Sequence, residues 1–275
     1  MAENCTSNCS SCGQDCSSRR EPQSFLKPQN EGSNVKKVIA VVSGKGGVGK
    51  SLVTALSAVN MAKRGASVAV LDADITGPSV PAEFGIRDRA VSDGKSIFPA
   101  VTKSGIQIMS MNMLLDSASD PVVWRGPVIA GVVGQFWTDV AWGDVDYMFV
   151  DMPPGTGDVP LTIFQSLPVD GIIVVTSPQE MVGTIVEKAV KMAAMMDKPI
   201  IAIVENMAWF QCPSCGEKHR IFGSGDVKAL AERYGVDCTA ELPINPDFAA
   251  LVDRGEVESI ECGALDEVLN KIEKL

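Results

Sequence analysis

A glycine-rich segment at residues 44–51, GKGGVGKS, constrains this 275-residue chain more than any other feature. It follows the apolar run 38–42, so a buried strand leads into a loop and then into a helix. In such a loop, backbone N–H groups and the helix N-terminus point at phosphate oxygens, the lysine before the final serine reaches the β- and γ-phosphates, and the serine hydroxyl binds Mg²⁺. The sequence therefore predicts a P-loop for a nucleoside triphosphate. The predicted binding residues are Gly44, Lys45, Gly46, Gly47, Val48, Gly49, Lys50 and Ser51.

The composition narrows the class of protein. Apolar residues make up 45% of the chain, enough for a full core, and the formal charge of −10 argues against a nucleic-acid-binding surface. The longest apolar runs stay below the roughly 18 residues that a membrane-spanning helix needs. The N-terminus also lacks the basic and apolar segments of a signal peptide. We therefore expect a cytoplasmic protein without nucleic-acid or membrane partners.

Strand and helix patterns alternate after residue 37, which predicts one α/β domain over 37–275 with a doubly wound, mostly parallel sheet. Residues 1–36 are rich in Ser, Asn, Gln and Cys and predict a flexible tail and linker. The segment 96–111 alternates apolar and polar residues and predicts an inserted hairpin. The predicted strands are 38–43, 67–72, 146–151, 171–176 and 199–204. The predicted helices are 50–64, 127–140, 158–166 and 181–196.

Two acidic segments follow predicted strands, at the edge where ligands collect in parallel sheets. The first spans 72–79 and the second spans 151–158. A carboxylate in the first segment would suit phosphoryl transfer, which needs a positioned water. In the second, Asp151 fits the role of a Mg²⁺ ligand, directly or through water, and the Gly155 N–H is a candidate sensor of the γ-phosphate. A plain helix cap or turn is the alternative for each segment.

Six of the eight cysteines are clustered, and in a reducing compartment clusters are more often metal ligands or catalytic groups than disulfides. Cys212 and Cys215 form a Cys-x-x-Cys pair in a loop near 209–222, but two thiolates do not complete a four-thiolate site. His219 is either a further zinc ligand or a solvated residue. The tail cysteines have three alternative interpretations: they bind an iron–sulfur cluster, they bind zinc, or they bind no metal. These cysteines are Cys5, Cys9, Cys12 and Cys16.

An ordinary P-loop has no need of Lys45. The pattern KGGxGK[ST] resembles the deviant Walker A motif of the family that includes MinD, ParA, the nitrogenase iron protein and the Mrp (ApbC) carriers. In that family, this extra lysine reaches phosphates bound by the other subunit, so the resemblance implies an ATP-bound homodimer. It further implies a catalytic group formed by Lys45, Lys50 and Asp74. In this group Asp74 orients the attacking water, while Asp72 supports the site.

A set of five motifs resembles the Mrp (ApbC) family of iron–sulfur cluster carrier ATPases and covers residues 37–275. The motifs are the P-loop at 44–51, DxDxxGPS at 72–79, WRGP at 124–127, DMPPGTGD at 151–158 and Cys-x-x-Cys at 212–215. In a dimer, a two-fold axis brings Cys212 and Cys215 of both copies into one four-thiolate site. The resemblance thus implies a cluster, of the 4Fe-4S type, that passes to apo iron–sulfur proteins. The tail cysteines are similar to those of cytosolic cluster scaffolds, but more tightly spaced.

The expected nucleotide is ATP. The GTPase signature Asn-Lys-x-Asp is absent, and the last predicted strand is followed by Asn206 instead. In related ATPases an Asn here touches adenine, and a loop like 242–245 closes over the ring. The implied cofactors are therefore ATP, Mg²⁺ and an iron–sulfur cluster.

Three rival classes share parts of this pattern: a positioning or partition ATPase of the MinD or ParA kind, an NTPase with structural zinc on its cysteine pairs, and a nitrogenase-like reductase. The reductase is disfavoured because segment 151–158 contains no cysteine. A MinD-like membrane helix is disfavoured because the C-terminal helix has no basic excess on its polar face, so we expect it to dock on the domain. Its apolar face consists of Leu265, Val268, Leu269, Ile272 and Leu275.

Overall fold

The computed structural model describes residues 25–75, 77, 79–115, 126–179, 184–223 and 226–275. In chain order its strands are β1 (Ser33–Ser43), β2 (Val68–Asp72), β3 (Val91–Ser92), β4 (Ile97–Phe98), β5 (Ala100–Val101), β6 (Gln107–Ser110), β7 (Gly143–Asp151), β8 (Gly171–Thr176), β9 (Ile200–Glu205), β10 (Phe210–Gln211), β11 (Lys218–His219) and β12 (Thr239–Glu241). Its helices are α1 (Lys50–Lys63), α2 (Val80–Glu83), α3 (Gly126–Thr138), α4 (Asp158–Ser166), α5 (Thr184–Met195), α6 (Val227–Arg233), α7 (Pro246–Asp253) and α8 (Asp266–Ile272).

Within these ranges, a central sheet has eight strands in the order β12–β9–β8–β1–β7–β2–β6–β5. All neighbours pair in parallel except β5 and β6. Helices cover both faces: α3, α4, α5 and α6 contribute to one core, whereas α1, α2 and α8 contribute to the other. Alternate residues of β1 serve the two cores, with Val38 and Ala40 on one side and Ile39 and Val41 on the other. The predicted doubly wound α/β sheet is therefore confirmed.

The predicted bounds of α4 and β8 match the structure, whereas β1 begins at Ser33 rather than at residue 38. Residues 33–36, predicted to lie in the linker, pair with the start of β7, where Ser33 faces Gly143. The early start has a local cause. The Gln29 side chain accepts a hydrogen bond from the Val35 N–H at 2.9 Å and donates to the Val35 carbonyl at 3.2 Å, so it acts as a neighbouring strand would.

The hairpin predicted over 96–111 is only partly correct. β5 and β6 do pair in antiparallel fashion, around a turn that places Gly105 at φ +88. However, β6 also pairs in parallel with β2, so it belongs to the central sheet and is not part of an insertion. Ile108 and Met109, on opposite faces of β6, are both fully buried. Burial on both faces is typical of a strand inside a parallel sheet.

The C-terminal helix docks as predicted, since Val268, Leu269 and Ile272 are buried. Leu275, predicted to share this face, lies beyond the end of the helix and is 43% exposed. On the outer side of the helix, Arg64, which directly follows α1, pairs with Asp266 at 2.9 Å. Across the described residues, every helix is too short or too polar to span a membrane. Parts of four predictions lie outside the described residues: the four tail cysteines, residues 76 and 78 of the motif at 72–79, the first two residues of the motif at 124–127, and the first three residues of the helix predicted over 181–196.

Candidate functional site

The glycine-rich loop joins β1 to α1 at the carboxyl edge of the sheet. Gly49 has a φ of +79, which disfavours any residue with a side chain. A Cβ at this position would also collide with Nδ2 of Asn206. That Nδ2 donates a hydrogen bond to the Val48 carbonyl at 2.9 Å. The structure thus brings Asn206, which the resemblance to related ATPases places beside adenine, directly against the P-loop.

Asp151, at the end of β7, is fully buried and accepts three side-chain hydrogen bonds. They come from Lys50 Nζ at 2.7 Å, Ser51 Oγ at 2.6 Å and Thr54 Oγ1 at 3.0 Å. Such a buried charge is tolerated only with well-placed partners. Thr54 is absent from the predicted site. It lies one helical turn after Lys50, on the same face of α1, which is the sequence signal that would have found it.

Asp74 lies beside this group, with Oδ2 3.8 Å from Lys50 Nζ. Its N–H donates to Asp72 Oδ1 at 3.1 Å, and the Ser110 hydroxyl donates to Asp72 Oδ2 at 3.0 Å. Burial raises the pKa of Asp72 well above its usual range, and the neighbouring carboxylate of Asp151 adds to the effect, while Lys50 and Ser110 oppose it. Asp72 therefore holds the backbone before Asp74, in keeping with its predicted supporting place.

A cavity of about 310 Å³ opens over these groups, and its lining includes Lys45, Lys50, Ser51 and Asp74. The Lys45 side chain is exposed, whereas Lys50 is buried. The Gly155 N–H, predicted to sense the γ-phosphate, donates here to the carbonyl of Ser43 at 2.9 Å. To bind the γ-phosphate, the Gly155 N–H would therefore have to give up its hydrogen bond to the Ser43 carbonyl.

Glu83 lines the same cavity and was missed by the sequence analysis. Its Oε1 accepts a hydrogen bond from the Ser79 hydroxyl at 2.9 Å, while its Oε2 is buried without a hydrogen-bond partner among the described residues. Burial raises the pKa of Glu83 to about 7, against the opposing effect of the Ser79 hydrogen bond. The spacing of one helical turn between the two residues is the only signal the sequence offers.

Cys212 and Cys215 lie in the turn between β10 and β11; we call residues 210–219 the cysteine hairpin. The turn is closed by backbone hydrogen bonds from Cys212 to the Glu217 carbonyl and from Gly216 to the Cys212 carbonyl, at 2.9 and 2.8 Å. The N–H groups of Cys215 and Ser214 point at the Cys212 thiol and lower its pKa. A lower pKa favours the thiolate, which is the form that binds metals.

Three potential metal donors converge at the tip of the cysteine hairpin. The Cys215 thiol, a Glu217 carboxylate oxygen and a His219 ring nitrogen all lie within 4.8 Å of one another. All three residues are exposed. The structure therefore places His219 beside Cys215, where the sequence left it open between a zinc ligand and a solvated residue.

The start of the cysteine hairpin packs against loop 242–245, the loop predicted to close over the adenine ring. The Ile244 N–H donates to the Trp209 carbonyl at 2.7 Å, and Phe210 forms a parallel bridge with Ile244. Lys218 stacks on Trp209, with Nζ 3.9 Å from the ring centroid. A cavity of about 540 Å³ lies between the loop and Cys212. The nucleotide-side and cysteine-side predictions thus meet in one region.

We predict that Gly49→Ala loses nucleotide binding, because the added Cβ collides with Asn206 and the backbone must leave its positive φ. ATP affinity should fall by at least about tenfold, or about 1.4 kcal/mol. Isothermal titration with ATP measures it. Gly65→Ala, also at positive φ but with nothing near the added Cβ, is the matched control. An unchanged affinity in Gly49→Ala would contradict the assigned loop geometry.

Comparison with known proteins agrees with this arrangement. The family described as "ParA: NUBPL iron-transfer P-loop NTPase" matches residues 34–274. An iron–sulfur cluster carrier protein from Clostridium perfringens is 45% identical over 82% of this chain and 82% of its own length. A protein of the same name from Methanocaldococcus jannaschii is 40% identical over 100% of this chain and 97% of its own.

Among solved structures, a nucleotide-binding protein from Archaeoglobus fulgidus in complex with ADP, in which cobalt was found, superimposes with a TM-score of 0.77. It is 43% identical and covers 84% of this chain and 91% of its own. The family match spans nearly all of the described domain, and both relatives exceed the identity at which common ancestry is secure. The chain belongs to the family of NUBPL-type iron-transfer P-loop NTPases.

Proposed function

We propose that this protein is an ATP-hydrolysing carrier that holds an iron–sulfur cluster on its cysteine hairpin and passes it to apo iron–sulfur proteins. One observation carries the proposal: a P-loop with its lysine and carboxylate partners shares a sheet edge with a Cys-x-x-Cys turn whose thiol pKa is lowered. The relatives named as iron–sulfur cluster carriers support it. ATP is the proposed nucleotide because Asn206, and not a GTPase signature, lies beside the loop.

The hydrolytic residues follow from the geometry. Lys50 pairs with Asp151 in this structure, and we propose that it turns to the phosphates when ATP binds. Ser51 Oγ and Asp151 Oδ2 lie 2.6 Å apart and offer the oxygen donors that Mg²⁺ prefers. They are the residues proposed to hold this ion, which when bound neutralises phosphate charge. Asp74, beside Lys50, is proposed to orient the attacking water.

We predict that Asp74→Asn keeps ATP affinity and loses turnover, because the amide fills the same space but no longer attracts and orients the water. A drop of roughly a hundredfold or more in the rate of phosphate release is expected. Lys50→Ala should instead lose nucleotide binding. Asp88→Asn, in an exposed turn outside the P-loop cavity, is the control. Full turnover in Asp74→Asn would remove Asp74 from the mechanism.

The dimer is proposed from Lys45, whose side chain is exposed at the rim of the P-loop cavity. A lysine in this place can reach phosphates held by a second copy, as the deviant Walker A pattern implies. A two-fold axis would then bring two cysteine hairpins together. Each would contribute Cys212 and Cys215, so that four thiolates complete one cluster site.

We predict that Lys45→Ala binds ATP but does not form the nucleotide-dependent dimer, because a cross-subunit charge is missing. Sedimentation velocity with a non-hydrolysable ATP analogue separates monomer from dimer. Turnover should fall by at least about tenfold, in the manner of a charge supplied in trans. The exposed Lys103→Ala serves as control. Equal dimerisation of Lys45→Ala and wild type would refute this role.

The N-terminal segment before β1 is proposed to carry a separate site formed by Cys5, Cys9, Cys12 and Cys16. Because four thiolates within twelve residues can wrap one cluster without a partner, this site would need no dimer. The proposed location of the protein is the cytoplasm, where thiols stay reduced and available for such clusters.

A zinc-holding NTPase is the second candidate function, and one observation favours it. Cys215, Glu217 and His219 bring together the donor types that zinc accepts, within one copy of the chain. A cluster shared by two copies uses thiolates and has no need of His219. The histidine therefore distinguishes the two candidates.

We predict that Cys212→Ser and Cys215→Ser lose the shared cluster and all transfer to an apo-acceptor, because soft sulfur ligands suit iron–sulfur clusters and serine replaces them poorly. Fold and ATP binding should persist, since Cys215 is exposed and Cys212 is only partly buried. His219→Gln should retain iron, labile sulfide and transfer. Anaerobic reconstitution followed by iron, sulfide and zinc analysis makes the measurement. Zinc without sulfide in wild type, lost in His219→Gln, would favour the zinc candidate.

A further inference from the structure

Glu205, the last residue of β9, has an unusual environment. Its side chain is fully buried, and neither carboxylate oxygen has a hydrogen-bond partner among the described residues. Burial raises the pKa of Glu205 to about 7, and the nearby carboxylate of Glu241 adds to the effect, while Arg220 opposes it. Burying a carboxylate without such partners costs folding free energy. A group of this kind calls for an explanation.

The nearest opposing charge in the described part of the chain is only partly engaged with Glu205. Arg220 Nη1 lies 3.9 Å from Glu205 Oε2, too far for a hydrogen bond. Arg220 Nη2 instead donates to both oxygens of Glu241, at 2.9 and 3.1 Å. The two carboxylates are register partners on β9 and β12. One guanidinium therefore lies between two carboxylates, paired with the outer one and close to the buried one.

These residues connect the two halves of the site. Arg220 directly follows β11, the second strand of the cysteine hairpin. Glu205 directly precedes Asn206, whose side chain is bonded to the Val48 carbonyl in the P-loop. A short series of contacts therefore runs from the phosphate-binding loop through the end of β9 to the cysteine hairpin.

We propose that Arg220 is a positioning residue that couples nucleotide binding to the placement of the cysteine hairpin by exchanging its pairing from Glu241 to Glu205. The use of this coupling in cluster delivery rests on the proposed function. Nucleotide bound at the P-loop and Asn206 shifts the end of β9 and brings Glu205 into range of the guanidinium. Because Glu205 is the deeper carboxylate, the exchange draws the hairpin toward the sheet.

The energetics suit a device with two arrangements. In the pair with Glu241, Nη2 alone contacts both carboxylate oxygens and both side chains are partly exposed, whereas a pair with Glu205 would give a hydrogen-bond partner to a buried carboxylate that has none among the described residues. Each arrangement thus gives Arg220 to one carboxylate and leaves the other carboxylate without it. A ligand that favours one of them can move such an equilibrium by no more than its difference in affinity for the two. A modest effect of nucleotide is therefore sufficient and is what we expect.

The test measures the hairpin thiols in apo protein, so it does not depend on cluster chemistry. Cys212 and Cys215 are alkylated with iodoacetamide, with and without a non-hydrolysable ATP analogue, and peptide mass spectrometry separates them from the other cysteines. In wild type, nucleotide should slow alkylation by at least about fivefold. Glu205→Gln and Arg220→Gln should bind the analogue normally and lose this nucleotide effect.

Glu256→Gln is the matched control. It removes a carboxylate whose Oε2 lies 2.9 Å from Arg254 Nε, and this ion pair is not part of the cysteine hairpin. This variant should keep the full nucleotide effect. A purely structural role of Arg220 predicts a different pattern, with faster alkylation in Arg220→Gln but an unchanged ratio between the two nucleotide conditions. Because Arg220 is partly exposed, we expect Arg220→Gln to fold. It therefore tests the proposal even where Glu205→Gln fails to fold.

The proposal falls if wild type shows no nucleotide effect on the two thiols, or if either variant retains it. Loss of cluster transfer with intact thiol coupling contradicts the carrier function alone. Intact transfer without thiol coupling contradicts only the role of Arg220.

Discussion

The nucleotide site depends on the carboxylate of Asp151, because this one group links the end of β7 to three side chains in the first turns of α1. It closes β7, fixes the lysine and serine at the start of α1, and reaches Thr54 one turn further along. Each partner compensates part of the cost of burying the charge. Removing any one of these donors leaves the buried carboxylate with fewer hydrogen bonds. The loop, the helix and the strand end are therefore held as one unit.

Two buried carboxylates side by side are the cost of this arrangement. Asp72 and Asp151 are register partners on β2 and β7 and both are fully buried. Burial and the adjacent carboxylate of Asp151 raise the pKa of Asp72, whereas Asp151 is the carboxylate that accepts the hydrogen bond from Lys50. The environment thus assigns two chemically identical side chains to different tasks.

The sequence predicts what local spacing determines. The P-loop, the alternation of strands and helices, and the bounds of α4 and β8 rest on patterns within one segment. The contacts that it missed join distant segments: Ser110 to Asp72, and Arg220 to Glu205 and Glu241. They depend on which strands become neighbours in the sheet, and that order is not written in any single stretch of the chain. The early start of β1 has a different origin, because the Gln29 contact with Val35 is local, but hydrophobic periodicity does not reveal a polar side chain that hydrogen-bonds to the backbone.

The two edges of the central sheet have a consequence for how copies of this chain can associate. Its edge strands, β5 and β12, contain only two and three residues. Edges this short expose few unpaired N–H and C=O groups, so they offer little for strand addition by another chain. Open-ended stacking through the sheet is thereby disfavoured. Association through the loops at the carboxyl edge would, by contrast, depend on what those loops bind.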